Sequence, residues 1–299
     1  MLPNLFIVGA PRCGTTFLWH CLGQHPRVFM SPIKEPLHFA AHSGTIWRGP
    51  GDYQPLLARE KYLALFADAR PGTHQFAGEA STLYLSAADA PERIRAMSAN
   101  AKIICILRNP LGRAWSHFVQ HRSQGRETCR RFVDAVAVEH RRLHDGWAPF
   151  WGYTELSKYG AQVERWRACF PASQFGIFLF DDLAAAPAAF IGDILKFLDL
   201  APVPTAPVSH LARNEAHLPR SLLLAHAVSD ADNRFFVVGR ALVPRPWRTY
   251  LRWLLQRWNG RSPTNELTTS ERSQLVQTFD GDVRHIERLL QRELTAWRS

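Results

Sequence analysis

Near the amino end, Leu5-Phe6-Ile7-Val8 runs without interruption into Gly9-Ala10-Pro11-Arg12-Cys13-Gly14-Thr15-Thr16. Nothing else in the chain restricts the fold as much. A short unbroken apolar run before a glycine reads as a strand buried on both faces, which is the habit of parallel sheets. Helical spacing follows from about Thr15 to Leu22. Strand, glycine loop and helix in that order make an anion cradle, because open backbone N–H groups and the helix dipole converge on one point. The loop is close to G-x-x-x-x-G-K-[ST], with Thr15 where the lysine would stand. Backbone amides around Cys13 and Gly14, with the hydroxyls of Thr15 and Thr16, suit a 5′-phosphate. The missing positive charge can come from Arg12. A hydrolase of magnesium nucleotides would need the lysine. A glycine turn that holds no ligand is the plain alternative.

Further strands are expected at Phe76–Glu79, Lys102–Leu107 and Phe175–Phe180, and helices at Tyr159–Phe170 and Phe190–Leu198. Between them, Asn109 is a good N-cap and Pro110 suits the first helical position. Leu111, Trp115, Phe118, Val119 and Arg122 then recur at helical spacing. Strands alternating with helices predict an α/β fold with a doubly wound parallel sheet and a P-loop-like phosphate loop. Ligands of such sheets sit at the carboxyl ends of the strands. Residues 201–219 are proline-rich, and a helical C-terminal third follows. There Leu275, Phe279, Val283, Ile286, Leu290 and Trp297 form an apolar stripe that should dock on the core. With neither repeat nor linker, residues 1–299 are read as one domain.

The formal charge is +10, carried mainly by arginine, whose planar fork matches phosphate and sulfate oxygens. Charge alone also fits nucleic acid or a membrane surface. The five cysteines show no C-x-x-C pairing, so neither a disulfide framework nor a zinc site is expected. No apolar run approaches the ~20 residues of a membrane span. Met1-Leu2-Pro3-Asn4 lacks the features of a secretory signal, which leads to the expectation of a cytoplasmic protein.

A second anion site is expected where the strand 102–107 ends. Arg108 lies at its carboxyl end, and Ser116, two turns into the next helix, reaches toward the same ligand. Taken alone, the pair reads more readily as a capping arginine and a solvated serine. With the first loop it suits a nucleotide phosphorylated at both the 5′ and the 3′ position.

Together these residues resemble the family of sulfotransferases that use 3′-phosphoadenosine-5′-phosphosulfate (PAPS). Val8 to Thr16 looks like the family's 5′-phosphosulfate loop, in which the residue at Arg12 contacts the bridging oxygen and the sulfuryl group. Leu107-Arg108-Asn109-Pro110 with Ser116 looks like its 3′-phosphate signature. Lys34-Glu35-Pro36-Leu37-His38-Phe39 is similar to the lysine–glutamate–proline segment of the carbohydrate-type and bacterial branch, where the glutamate is the catalytic base. That branch places an aromatic or histidine directly after the proline; here Leu37 intervenes before His38. Gly78 to Leu85 resembles the substrate-side segment, with Ala80 where many relatives have lysine. Lys158-Tyr159-Gly160 to Trp166, Phe170-Pro171 and Phe180 to Leu183 match the scaffold. Asn214 and Pro219-Arg220-Ser221 resemble the loop that closes over the nucleotide, and Leu290 to Trp297 the terminal helix.

The resemblance implies transfer of a sulfuryl group from PAPS, without metal, to a hydroxyl or amine. Glu35 would take the acceptor's proton and Arg12 would stabilise the leaving bisphosphate. Lys34 and His38 are further candidates in that pocket, and Arg220 in the nucleotide site. Two other readings stay open. One is a P-loop nucleotide kinase or phosphotransferase, which the absent lysine disfavours. The other is a basic protein bound to nucleic acid or a membrane surface through residues 240–261, where arginines alternate with Trp247, Tyr250, Trp253 and Trp258. A docked helix with a solvated arginine face is the better account of that segment, so no nucleic-acid partner is expected and a membrane-surface contact stays open.

Overall fold

In the computed structural model, the described residues are 1–42, 44–51, 53–203, 218–219, 221, 260–261 and 267–298. Five parallel strands form one sheet: β1 (Leu5–Gly9), β2 (Val28–Met30), β3 (Phe76–Ala80), β4 (Lys102–Leu107) and β5 (Phe175–Leu179), in the order β2-β3-β1-β4-β5. The chain starts at the centre, runs out to one edge, returns through β3, and then crosses β1 to build the other half. This is the expected doubly wound α/β arrangement. All five residues of β1 are buried, as its unbroken apolar run requires.

Helix α1 (Thr15–Leu22) follows β1, α2 (Arg59–Ala64) and α3 (Ala90–Met97) flank β3, and α4 (Pro110–Ser123) follows β4. Asn109 caps α4 by accepting from the Gly112 amide at 3.0 Å, with Pro110 in the first turn. Next come α5 (Phe132–His144) and α6 (Tyr159–Cys169), then β5, α7 (Phe180–Ala185), α8 (Pro187–Phe197) and finally α9 (Thr269–Leu290). Two-residue strands β6 (Leu218–Pro219) and β7 (Gly260–Arg261) pair antiparallel, and β6 packs by α4.

Several boundaries differ from expectation, each for a local reason. β5 stops at Leu179, and Phe180 opens α7, whose first turn carries Asp181 and Asp182. α8 begins at Pro187, whose fixed φ starts a helix three residues before its first large apolar side chain. Phe170 leaves α6 in extended conformation, as a residue before proline tends to. Trp297 lies outside the last helix. Gln291 adopts φ 50° and ends α9, so residues 291–298 turn back. There Trp297 Nε1 donates to Asp181 at 2.7 Å, Arg292 makes two hydrogen bonds to Asp182, and Asn109 donates to the Ala296 carbonyl at 3.0 Å. Of the terminal apolar stripe, Phe279, Val283 and Ile286 are buried, and Leu275 and Leu290 are partly so. Arg220 and Asn214 lie outside the described residues, as does segment 240–261 apart from the backbone of Gly260–Arg261.

Two glycines make the β1–α1 connection. A Cβ on Gly9 would stand 2.7 Å from the Leu85 Cβ. Gly14 has φ +82°, and a Cβ there would stand 2.4 Å from Leu183 of α7. Gly14→Ala should therefore destabilise the protein by roughly 1–3 kcal/mol through backbone strain and contact with Leu183. A urea titration measures it, and an unchanged midpoint would contradict the left-handed turn.

Candidate active site

The carboxyl ends of β1, β3 and β4 bring three loops together. The Ala10 amide donates to the Ile106 carbonyl at 2.8 Å, tying the β1 loop to β4. On the other side, the Ser81 amide donates to the Ile7 carbonyl at 3.1 Å and that of Leu85 to the Val8 carbonyl at 2.8 Å.

In the β1 loop, Arg12 and Gly14 both adopt left-handed backbone, φ 69° and 82°. Backbone of this hand, alternating with ordinary conformation ahead of a helix, turns successive N–H groups toward one concavity. α1 starts at Thr15, so its first amides are open to a ligand. Thr15 is buried and Thr16 half-buried. Cys13 is fully buried, and its thiol donates to the Pro11 carbonyl. Burial pushes it up to about 11, so it stays a neutral thiol.

The two expected anion sites are joined. Arg12 Nε donates to Ser116 Oγ at 3.2 Å, and Arg108 Nη1 donates to the Arg12 carbonyl at 3.3 Å. The Arg108 guanidinium also lies over the Phe180 ring, 4.5 Å from its centre. Among the described residues neither Arg12 nor Arg108 has an ion-pair partner. Burial, then repulsion from Arg108, pulls the Arg12 guanidinium down to about 10. Arginines this close, half out of water and without a carboxylate among the described residues, carry positive charge that an anion would offset.

Arg113, one turn before Ser116, escaped sequence reasoning. It is fully buried and held by Ser157 at 2.5 Å, by the Tyr153 carbonyl and by His117 Nδ1 at 3.2 Å. His117 and His121 continue that face of α4. Burial keeps the His117 ring far below the ordinary histidine range and lowers His121 to about 3, so both are neutral. His121 bonds the Tyr153 hydroxyl at 3.0 Å and the Tyr53 hydroxyl at 2.8 Å.

Across β1 lies the Lys34–Phe39 segment. Glu35 Oε1 pairs with Lys34 Nζ at 2.6 Å and accepts from Thr82 Oγ1 at 3.0 Å. Its other oxygen accepts from the Thr82 amide at 2.8 Å. The Lys34 and Glu35 side chains are 19% and 27% exposed, which leaves the carboxylate reachable from solvent. His38 points elsewhere: its Nδ1 bonds the Leu56 carbonyl at 2.7 Å, and its ring stacks on Tyr62 at 4.2 Å. Burial holds it below the ordinary histidine range. Sequence reasoning placed Thr82 and Glu79 in the substrate-side segment and gave neither a role of its own. Glu79 is fully buried on β3 and accepts hydrogen bonds from Tyr62, Tyr84 and Ser81 at 3.0, 2.7 and 2.7 Å. Burial raises its carboxyl to about 7 against that hydrogen bonding, and repulsion from Glu35 adds to the rise.

The comparisons with known proteins bear on the family and the fold. The Sulfotransferase domain family matches residues 2–215. A bifunctional heparan sulfate N-deacetylase/N-sulfotransferase of Mus musculus is 28% identical over 214 residues, covering 67% of this chain and 23% of that protein. A heparan sulfate glucosamine 3-O-sulfotransferase of Homo sapiens is 30% identical over 210 residues, covering 68% of this chain and 54% of its own length. The chain thus spans between a quarter and about half of these relatives. A crystal structure of a sulfotransferase from Alicyclobacillus acidocaldarius superposes with a TM-score of 0.74 at 27% identity over the full length of both chains.

Glu79 gives a stability test. Its folded value lies above the ordinary 4.5. Between the two values the folded state keeps a proton that the unfolded state has lost, so stability falls as pH rises through that window. Glu79→Gln removes this dependence. Relative to the native chain, the variant should gain roughly 2–3 kcal/mol between pH 5 and pH 8. Urea titrations at both values decide it, and an equal difference at both would refute the raised carboxyl.

Proposed function

We propose that this chain, which belongs to the sulfotransferase domain family, transfers the sulfuryl group of PAPS to a hydroxyl or amine of an acceptor. The observation that carries the reading is the linked Ser116–Arg12–Arg108 cluster, which has no carboxylate partner among the described residues. A nucleotide with a 5′-phosphosulfate and a 3′-phosphate supplies an anion to each end of it. The 5′ group would rest on the amides of Cys13, Gly14, Thr15 and Thr16, and the 3′-phosphate on Arg108 and Ser116. Arg220, which the sequence resemblance puts in the loop that closes over the nucleotide, would add to that site.

Transfer would proceed in line. The acceptor oxygen or nitrogen attacks sulfur, the bond to the bridging oxygen breaks, and adenosine 3′,5′-bisphosphate leaves with the electron pair. Arg12 stabilises the charge that grows on the leaving oxygen. Glu35 takes the acceptor's proton, and its ties to Thr82 and Lys34 orient it for that. The likeness to heparan sulfate enzymes supports a carbohydrate acceptor. The tie of His38 to Leu56 favours a role in the wall of the pocket over one in chemistry.

Two measurements test the reading. Adenosine 3′,5′-bisphosphate should raise the melting temperature well above any shift from AMP or ATP; equal shifts from AMP and the bisphosphate would remove Arg108 and Ser116 from the nucleotide site. With labelled PAPS and N-desulfated heparan saccharides, Glu35→Gln should keep the bisphosphate affinity and lose roughly a hundredfold in turnover. Arg12→Ala should lose both affinity and rate. Near-normal turnover in Glu35→Gln would place the base elsewhere.

A further inference from the structure

The Glu35 turn is conformationally expensive. Glu35 and Leu37 both adopt φ near +60°, 61° and 57°, a region that side chains with a Cβ rarely occupy. Pro36 between them cannot donate a backbone hydrogen bond. The turn is pinned at its two ends by the strand-end segment after β3. The Glu35 amide donates to the Ala80 carbonyl at 2.8 Å, and the Leu37 amide donates to Ser81 Oγ at 3.0 Å.

The second pin depends on the direction of a hydroxyl. Ser81 has one proton, and it goes to Glu79 Oε2 at 2.7 Å. That leaves its lone pairs for Leu37. Ionised Glu79 has no proton and only accepts, from Ser81 at one oxygen and from Tyr62 and Tyr84 at the other. A protonated Glu79 has a proton of its own to place and competes with one of these three donors. All four groups are buried, so no bulk water replaces a lost partner.

We propose that Glu79 is a positioning residue for Glu35: through Ser81 it fixes the Leu37 amide, and with it the turn that presents the Glu35 carboxylate to the acceptor. The functional part of this rests on the transferase reading above. Glu79 titrates near neutral pH, so the device is sensitive to pH, with the turn held best on the alkaline side. The titratable groups that face Glu79 are Tyr62 from α2, Tyr84 from the loop after β3, and Glu35 with its partner Lys34. Both tyrosines are raised well above their ordinary range, and His38, stacked on Tyr62, is lowered. Glu79 is therefore the buried group in this cluster that changes charge around pH 7.

The test reads the turn directly. Labelling with carbonyl-¹³C proline and ¹⁵N leucine selects the amides of Leu37, Leu56 and Leu111, the leucines that follow a proline. In the native chain the Leu37 amide should shift with a midpoint near pH 7, in step with the protonated-carboxyl stretch of Glu79 in infrared difference spectra. Glu79→Gln should abolish both signals. Ser81→Ala should keep the carboxyl titration and abolish the Leu37 response, which guards against a Glu79 variant that fails to fold. Turnover with PAPS and N-desulfated heparan saccharide, divided at each pH by the fraction of the acceptor amine that is unprotonated, should rise roughly tenfold from pH 6 to pH 8 in the native chain and lose that rise in both variants. A Leu37 amide unmoved through the Glu79 titration overturns the proposal, as does a rise in turnover that survives in Glu79→Gln. Absence of any sulfated product would instead count against the transferase reading and leave the amide titration to decide the role of Glu79.

Discussion

Three arginines crowd the carboxyl edge of the sheet, and among the described residues none of them forms an ion pair. Arg12, Arg108 and Arg113 repel one another, and burial weakens the hydration that would otherwise stabilise them. The fold compensates with dipoles instead of charges. The Arg12 carbonyl accepts from Arg108, Ser116 accepts from Arg12, and Ser157 with the Tyr153 carbonyl holds Arg113. The ring of Phe180 lies under Arg108, and neutral histidines line the rest of that face. A carboxylate in this place would satisfy the cluster permanently and remove its use. Leaving it unsatisfied keeps a field that an incoming anion completes, at a cost that the surrounding core has to carry.

That requirement explains which parts of the molecule were legible in the sequence. β1 and its loop announce themselves because backbone chemistry dictates them: an apolar run, a glycine at a close approach and a glycine in left-handed conformation. Arg108, Asn109 and Pro110 are equally readable, since a strand end and a helix cap meet there. Arg113 is not. In the sequence it is one arginine among many, and only the packing of α4 against residues 149–159 shows that it is buried. The contacts of Thr82 and Glu79, which the sequence marked only as part of the substrate-side segment, stayed hidden for a related reason. Their partners are Glu35, Tyr62 and Tyr84, and the pairing of Thr82 with Glu35 spans 47 positions that no periodicity connects.

The misplaced boundaries have a common cause as well. Phe180, Pro187 and Gln291 each sit where a local backbone preference outranks the hydrophobic pattern. Periodicity locates the buried face of an element. It does not locate the residue at which φ changes. The tail beyond α9 shows the consequence, because Trp297 belongs to the apolar stripe by composition and yet reaches the core from a reversed segment, anchored on Asp181 of α7. That anchor and the pair Arg292–Asp182 hold the chain terminus against the helix whose Phe180 supports Arg108.

β1 divides the site. On the β4 side stand the arginines, fixed by α4 and open to an anion. On the β3 side stand the carboxylates, Glu35 near solvent and Glu79 beneath it. The two groups hang from different strand ends: Arg12 from the loop of β1 and Arg108 from the end of β4, Glu79 from β3, and Glu35 from the loop after β2, whose amide is tied to the Ala80 carbonyl at the end of β3. Lys34 takes up Glu35 locally, and Thr82 fixes its remaining oxygen. A sheet that is parallel throughout gathers all these loop ends on one edge. In this way the strand order supplies what no single motif does: a positive and a negative group of side chains at the same edge of the sheet, each held in place by hydrogen bonds of its own.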